Sequence, residues 1–325
     1  MAHRLLLLAQ GAAFALAAAL APAATAAYPD KPIRLIVPYA PGGTTDVLGR
    51  TIAEQLRKEL GQPVIVDNKP GGNTGIGAQA LAGSPPDGYT LLLATAATVI
   101  LNPLLNAKLA YDPAQLVPVA RVAVTPLVIV VRADAPMRTL ADLVAKAKAQ
   151  PGQLNYGSTG IGSSLHLAGE LLQIETGTQM VHVPYKGSAP ALTGLLGGET
   201  HLLFDAIGSS MPLIEGGKLK PLAVTSAQRL PLLANVPTVA ESGYPHYEVS
   251  TWFGIVVPKN TPEEIVARLS TVLSAVVRDK GFRSQFEALG MIVPEPAKPA
   301  DFRAYIAAES VKWSAVIKAR KITLD

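Results

Sequence analysis

Two glycine-rich segments carry residue types that could hold a small anion. The first, V-P-Y-A-P-G-G-T-T-D-V-L-G-R at 37–50, lies between an apolar strand-length run and a helical stripe. Gly42 and Gly43 have no Cβ, so a ligand can approach the backbone closely. The N–H groups of Gly42, Gly43 and Thr44 stand before a helix whose first four donors lack intrahelical partners. A carboxylate suits such a turn. Thr44 or Thr45 also fits an N-cap, and Asp46 complements the dipole of the first turn, which would make the segment a capped turn with no ligand at all. The loop has no Lys or Arg and matches neither G-x-x-x-x-G-K-[ST] nor G-x-G-x-x-G, which disfavours nucleotides.

The second segment, N-Y-G-S-T-G-I-G-S-S-L-H-L-A-G-E-L-L at 155–172, repeats the arrangement. Gly157, Gly160 and Gly162 alternate with Ser158, Thr159, Ser163 and Ser164, and a helix with Leu165, Ala168 and Leu172 on one face follows. Two such cradles, each at the carboxyl end of a strand, are where open α/β sheets take ligands, and opposed across a cleft they would suit a ligand with two acidic ends. Gly and Ser could equally serve only to make the turn.

Catalytic readings of these residues are weaker. Y-G-S-T-G lacks the first Gly of a nucleophile elbow, so a hydrolase using Ser158 or Ser163 has no motif behind it. His166 and Glu170 are four apart on one helix face, a spacing open to metal ligation, but H-E-x-x-H is absent and a polar pair is the commoner meaning. His182, inside the apolar VHVPY run, reads as a core or edge residue. The glycines at 72, 75 and 77 have the dinucleotide spacing reversed and do not imply NAD. Asp205, ending the apolar run HLLFD, is either buried against helix N–H groups or placed at the cleft mouth. Lys186, after Tyr185, could supply a single positive charge or be an exposed turn lysine.

These segments need a scaffold of alternating strands and helices. Apolar strand-length runs at 33–39, 63–68 and 89–95 alternate with a helical stripe Leu48, Ile52, Leu56, Leu60 and a helical segment at 75–82. Continuous apolar runs are the mark of parallel strands covered on both faces. After a longer extended run at 122–132 the alternation restarts: helix 140–149, strand 154–158, helix 163–175, strand 180–185, helix 190–196, strands 201–207 and 221–226. A second long run at 248–258 leads to helical stripes Ile265, Leu269, Val272, Val276 and Phe302, Tyr305, Ile306, Glu309, Trp313. These last helices need a sheet, and returning to the first one is the economical solution. The expected architecture is therefore two α/β lobes joined by two crossover strands with a ligand cleft between them. Lobe 1 takes 28–125 plus 253–325, lobe 2 takes 126–252, and Trp252 belongs to the hinge core.

The chain of 325 residues is 49% hydrophobic and 16% charged, long enough for two cores and unlike a disordered or coiled-coil sequence. A formal charge of +4 without a basic run gives no sign of nucleic acid. With no cysteine, disulfides, thiolate nucleophiles and Cys-ligated metals are excluded. Residues 1–27 have Arg4, an apolar stretch interrupted by Gln10 and Gly11, and Ala24-Thr25-Ala26, the pattern of a cleavable export signal rather than a membrane anchor. Later apolar runs are too short to span a bilayer.

The segments PDKPIRLIVPYAPGGTTDVLGR, VIVDNKPGGNTGIGAQALAGSPPDGYTLLLAT, LNYGSTGIGSSLHLAGELL, HVPYKGSAPALTGLLGGETHLLFD, LKPLAVTSAQRLPLLANVPTVAESGYP and WFGIVVPKNTP resemble, in order and over the whole chain after residue 27, the extracytoplasmic solute-binding receptors of tripartite tricarboxylate transporters, the Bug family. The resemblance implies a type-II periplasmic-binding-protein-like fold that closes on a small mono- or dicarboxylate. It also implies delivery of that solute to a two-component membrane permease, without catalysis, cofactor or metal, by a monomer in the periplasm. It implies ligand contacts from the P-[FY]-x-P-G-G loop (Tyr39, Ala40, Gly42, Gly43, Thr44, with Asp46 beside it) and from the G-S-x-G-x-G-S loop (Ser158, Thr159, Gly160, Gly162, Ser163, with His166 in the helix it opens). Further contacts are expected from Thr95 and Ala96 at the end of the third strand, from Tyr185 and Lys186, and from Asp205. Pro70-Gly71-Gly72 departs slightly from the usual P-G-A and puts one cleft-edge contact in question. A subunit handing the same ligand to a signalling partner is the rival reading, and a secreted serine hydrolase the more distant one.

Overall fold

The computed structural model describes residues 28–323, so the expected export signal at 1–27 lies outside the described residues. In chain order the elements are β1 (Ile33–Val37), α1 (Thr44–Leu60), β2 (Val64–Asn68), α2 (Gly75–Ala82), β3 (Thr90–Thr95), a π-helical turn (Ala97–Leu101) leading into α3 (Asn102–Leu105), β4 (Leu116–Arg132) and α4 (Leu140–Ala149). They continue with β5 (Asn155–Ser158), α5 (Ser164–Thr176), β6 (Val181–Pro184), α6 (Ser188–Gly197), β7 (Leu202–Ala206), α7 (Ile207–Glu215), β8 (Leu219–Val224), β9 (Ser250–Pro258), α8 (Glu263–Arg278), α9 (Lys280–Glu287) and α10 (Pro299–Arg320).

The strand order is β2-β1-β3-β9-β4-β7-β5-β6, with β8 also on β4. Strands β1, β2 and β3 are parallel and are linked through helices, as the alternation requires. The same holds for β5, β6 and β7. Strand β4 joins the two halves. Its first part pairs antiparallel with β9 as far as Pro126↔Ser250, and from Leu127 onward it pairs with β7 and β8. The run expected at 122–132 thus starts already at Leu116, because its earlier residues find partners in the second half of β9. The architecture is the two-lobed type-II binding-protein fold.

Two elements depart from the expected pattern. Strand β2 is the edge of its sheet, paired only with β1, and Ile65 is 58% exposed; its apolar run had suggested a strand covered on both faces. The C-terminal helix departs from the expected partition of the chain. Helices α8 and α9 do return to the first sheet, where Leu269, Leu273, Phe282 and Phe286 share a core with Leu35, Val37 and Ile255. In α10, by contrast, Phe302 lies edge-on to Trp252 of β9, while Trp313, Val316 and Ile317 share a core with Tyr156, Leu165 and Leu171 of the second half. A stripe on a helix dictates that one face is buried but not which sheet buries it. This helix straddles both.

Candidate functional site

The first loop leaves β1 through buried Pro38 and half-buried Tyr39, and Ala40–Thr44 are exposed. Gly43 has φ −82°, ordinary extended backbone, and a Cβ there would meet nothing within 4 Å. Its N–H and that of Thr44 open α1, where no carbonyl of the helix can reach them. No side chain caps this end. The adjacent Gly42 N–H is not free, since it donates to Asp46 Oδ2 at 3.0 Å. Arg50 Nε donates to the same oxygen at 2.9 Å, and Asn68 Nδ2 donates to Asp46 Oδ1 at 2.9 Å and to the Tyr39 carbonyl at 3.0 Å. The Arg50 guanidinium and the Gly42 N–H hold the Asp46 carboxyl down at about 2. Asp46, buried, therefore fixes the loop's shape, while Gly43 and Thr44 present the donors.

Beneath the loop lies a buried hydroxyl network. Tyr39 OH is 3.5 Å from Thr95 Oγ1, the Thr95 N–H donates to Thr98 Oγ1 at 3.1 Å, and Thr98 Oγ1 donates to Thr74 Oγ1 at 2.9 Å. Thr95 and Ala96 are 2% and 1% exposed, so they floor the site rather than line its surface. The neighbouring turn after β2 is held by Asn102, whose Nδ2 donates to the Asn73 carbonyl at 2.6 Å while its Oδ1 accepts from Asn73 Nδ2 at 2.8 Å. Sequence reasoning missed Asn68, Thr74, Thr98 and Asn102. The one available signal was an Asn or Thr at a strand end or turn, a pattern too common to single them out.

The second loop is wired differently. Ser158 is fully buried; its Oγ accepts from the Gly160 N–H at 3.1 Å and lies 2.7 Å from His182 Nε2. Gly160, at φ +130°, occupies a conformation that only glycine takes without strain. Ser163 caps α5, its Oγ accepting from the His166 N–H at 3.1 Å and donating to the Gly160 carbonyl at 2.8 Å. The Gly162 N–H donates to His166 Nδ1 at 3.1 Å. The amides of Gly160 and Gly162 are thus turned inward, which leaves Thr159, half-buried, and the exposed Ile161 at the outer surface of the turn.

Behind this loop His166 and His182 stack with ring centroids 3.8 Å apart. Burial pushes His166 down, and burial, with repulsion between the two rings were both protonated, pushes His182 down to about 3, so both rings are neutral near pH 7. His166 Nε2 stands 3.8 Å from Glu170 Oε1. Glu170, itself buried, also accepts from Tyr156 OH at 2.6 Å and is paired with Arg320 of α10. The Ser158–His182 contact is not a nucleophile arrangement, because the serine is buried and no carboxylate bonds the imidazole's other nitrogen among the described residues. Among the described residues no group of three or more His, Asp or Glu side chains is placed to hold a metal ion.

The remaining candidates divide. Lys186 is exposed and forms no ion pair among the described residues. The Tyr185 ring runs away from the loop over Gly157 and Gly194, and its OH donates to Glu199 Oε2 at 3.0 Å, so only its backbone abuts Gly160. Asp205 is fully buried, with Oδ1 accepting from Ser188 Oγ at 2.5 Å and Oδ2 from Ser210 Oγ at 2.8 Å. Burial pushes its carboxyl up. It ties the first turns of α6 and α7 together, the buried one of its two sequence readings.

Comparison with known proteins gives a consistent picture. A family profile described as "Tripartite tricarboxylate transporter family receptor" matches residues 48–322. Protein BugT of Bordetella pertussis is 38% identical over 303 residues, covering 92% of each chain. The R. palustris protein Rpa4515, solved with adipate, superposes with a TM-score of 0.80 at 38% identity, covering 91% of this chain and 99% of that one. The periplasmic binding protein BugD superposes with a TM-score of 0.76 at 34% identity, covering 91% and 99%.

Proposed function

The chain belongs to the tripartite tricarboxylate transporter receptor family and is a periplasmic solute-binding receptor for a small carboxylate rather than an enzyme; on that premise we propose how it holds its ligand. One carboxylate sits on the Gly43 and Thr44 amides of the first loop. The far end of the ligand meets the outer face of the second loop at Thr159 and Ile161, with Lys186 beside it. The lobes close by bending where β4 and β9 cross, at Pro126 and Ser250, and the closed form is what a two-component permease receives. Lobe 1 comprises residues 28–125 and 253 to about the start of α10, lobe 2 comprises 126–252, and α10 spans the two. Export by a signal within 1–27 and a monomeric state complete the reading, and adipate bound to Rpa4515 makes linear dicarboxylates the first ligands to try.

The observation that carries this reading is the pair of exposed, uncapped amides beside the open space at Gly43. Gly43→Val tests it cleanly, because the backbone there suits any residue and the added side chain clashes with nothing. A thermal-shift screen of linear dicarboxylates, amino acids and aromatic acids identifies a binder, and calorimetry then compares the variant with the wild type. Losing two charge-assisted hydrogen bonds weakens binding on the order of 100-fold with little change in Tm. Unchanged affinity would remove the first loop from the site.

A further inference from the structure

Resting on the reading of 158–163 as a ligand loop, we infer that Arg320, in the last turn of α10, is a positioning residue for that loop, acting through Glu170. The connection is continuous. Arg320 Nε pairs with Glu170 Oε2, and its second guanidinium nitrogen donates to Gln173 Oε1 at 3.2 Å, while Gln173 Nε2 donates to Glu170 Oε1 at 3.1 Å. Glu170, 6% exposed, is thereby fixed in place, and it is the group that orients both supports of the loop. One support is Tyr156, whose OH donates to Glu170 Oε1 at 2.6 Å and whose strand ends at Ser158. The other is His166, whose Nε2 faces Glu170 Oε1 and whose Nδ1 accepts the Gly162 N–H. That acceptor role requires a neutral imidazole carrying its proton on Nε2, the tautomer a carboxylate on that side favours.

Among the described residues, the surroundings leave Arg320 as the one cation at this spot. Tyr156 of β5, His166 and Gln173 of α5, His182 of β6 and Tyr247, whose OH donates to the Ala168 carbonyl, are the polar groups facing the cluster, and none supplies a positive charge. A helix outside both ligand loops, 150 residues on from Glu170, thus holds the second loop in shape. Because the other end of α10 lies against Trp252 in the crossover, the loop's geometry is tied to where that helix rests on the hinge.

The test is Arg320→Met, with the double variant Glu170→Gln/Arg320→Met as the partner that leaves no buried unpaired charge. Amide hydrogen exchange on the ligand-free proteins, at a temperature well below each Tm, is expected to rise about tenfold or more at Gly160, Gly162 and Ser163, with Gly42, whose N–H donates to Asp46, unchanged as the internal control. Affinity for the tightest-binding linear dicarboxylate of the screen is expected to fall about tenfold in both variants, including the double variant after its Tm has recovered. A lower Tm with unaltered exchange at the second loop and unaltered affinity would overturn the inference and leave Arg320 as a stability contact only. In wild-type protein the same dicarboxylate should shift the amide resonances of 159–165. If it does not, or if no acid in the screen binds, the reading of this loop as a ligand site fails, while the exchange arm still decides whether Arg320 shapes it.

Discussion

The two glycine-rich loops have the same sequence logic, a strand end, glycines, hydroxyls and a helix, and each is braced by a buried carboxylate paired with an arginine. In the first loop the brace is local: Asp46 and Arg50 sit one helical turn apart, and Asp46 takes the Gly42 N–H itself. In the second, Glu170 is held by Arg320 from the far end of the chain and reaches the loop only through Tyr156 and His166. The local brace leaves the next two residues, Gly43 and Thr44, exposed and without a side-chain cap. The distant one comes with amides turned inward onto Ser158 and His166. A locally braced loop and one braced from a distance can therefore look alike in sequence, and the difference lies in how many residues separate the loop from its support.

Three perturbations sharpen that contrast. The largest effect is expected for Asp46→Ala, which removes the acceptor of the Gly42, Arg50 and Asn68 donors at once; about 3 kcal/mol of stability should go in a denaturant titration, together with most carboxylate affinity. The wild-type clip should also respond to acid. Its native carboxyl holds off protonation until about 2, below the ordinary value of 3.8, so its contribution is complete above about pH 4 and is lost as pH falls from 4 to 2.

The second loop should weaken at a higher pH. An unfolded imidazole takes up a proton below its ordinary value of 6.5, whereas half-buried His182 stays neutral down to about 3, so the unfolded state binds more protons in that window and stability falls as pH drops through it. Solvent around the half-buried ring screens the effect, and the loss is about 1 kcal/mol at pH 5. His182→Phe should flatten that slope, and amides of 158–165 should lose protection before those of 40–46; a simultaneous loss would erase the distinction. The smallest effect belongs to Lys186→Ala, which should change stability by under about 0.5 kcal/mol and reduce affinity a few-fold, an effect that high salt abolishes.

The loops themselves were legible because glycine spacing at strand ends is a local property. The alternation of buried runs likewise gave the parallel strands of both halves. What braces the loops was not legible. Glu170 reads in sequence only as the i,i+4 partner of His166, and nothing near it in sequence points to Arg320, the cation that pairs with this buried carboxylate. Asp205 and Tyr185 show the other limit. A strand end marks where a side chain is, but whether it faces ligand or neighbouring helices depends on Ser188, Ser210 and Glu199, which other helices and turns bring to it. The position of α10 was hidden for the same reason, since its apolar stripe suits either lobe.

For the closing motion proposed above, the crossover of β4 and β9 sets the mechanics. The two strands are paired to Pro126↔Ser250, beyond which β4 runs on between β7 and β8, with proline at the last rung unable to donate. A paired two-strand ribbon resists shear and sliding far more than bending across its face, so the lobes have in effect one angular coordinate instead of the full set of relative rotations and translations open to loosely tethered bodies. Freezing one coordinate sacrifices little entropy, and correspondingly more of the contact free energy from the two loops survives as affinity.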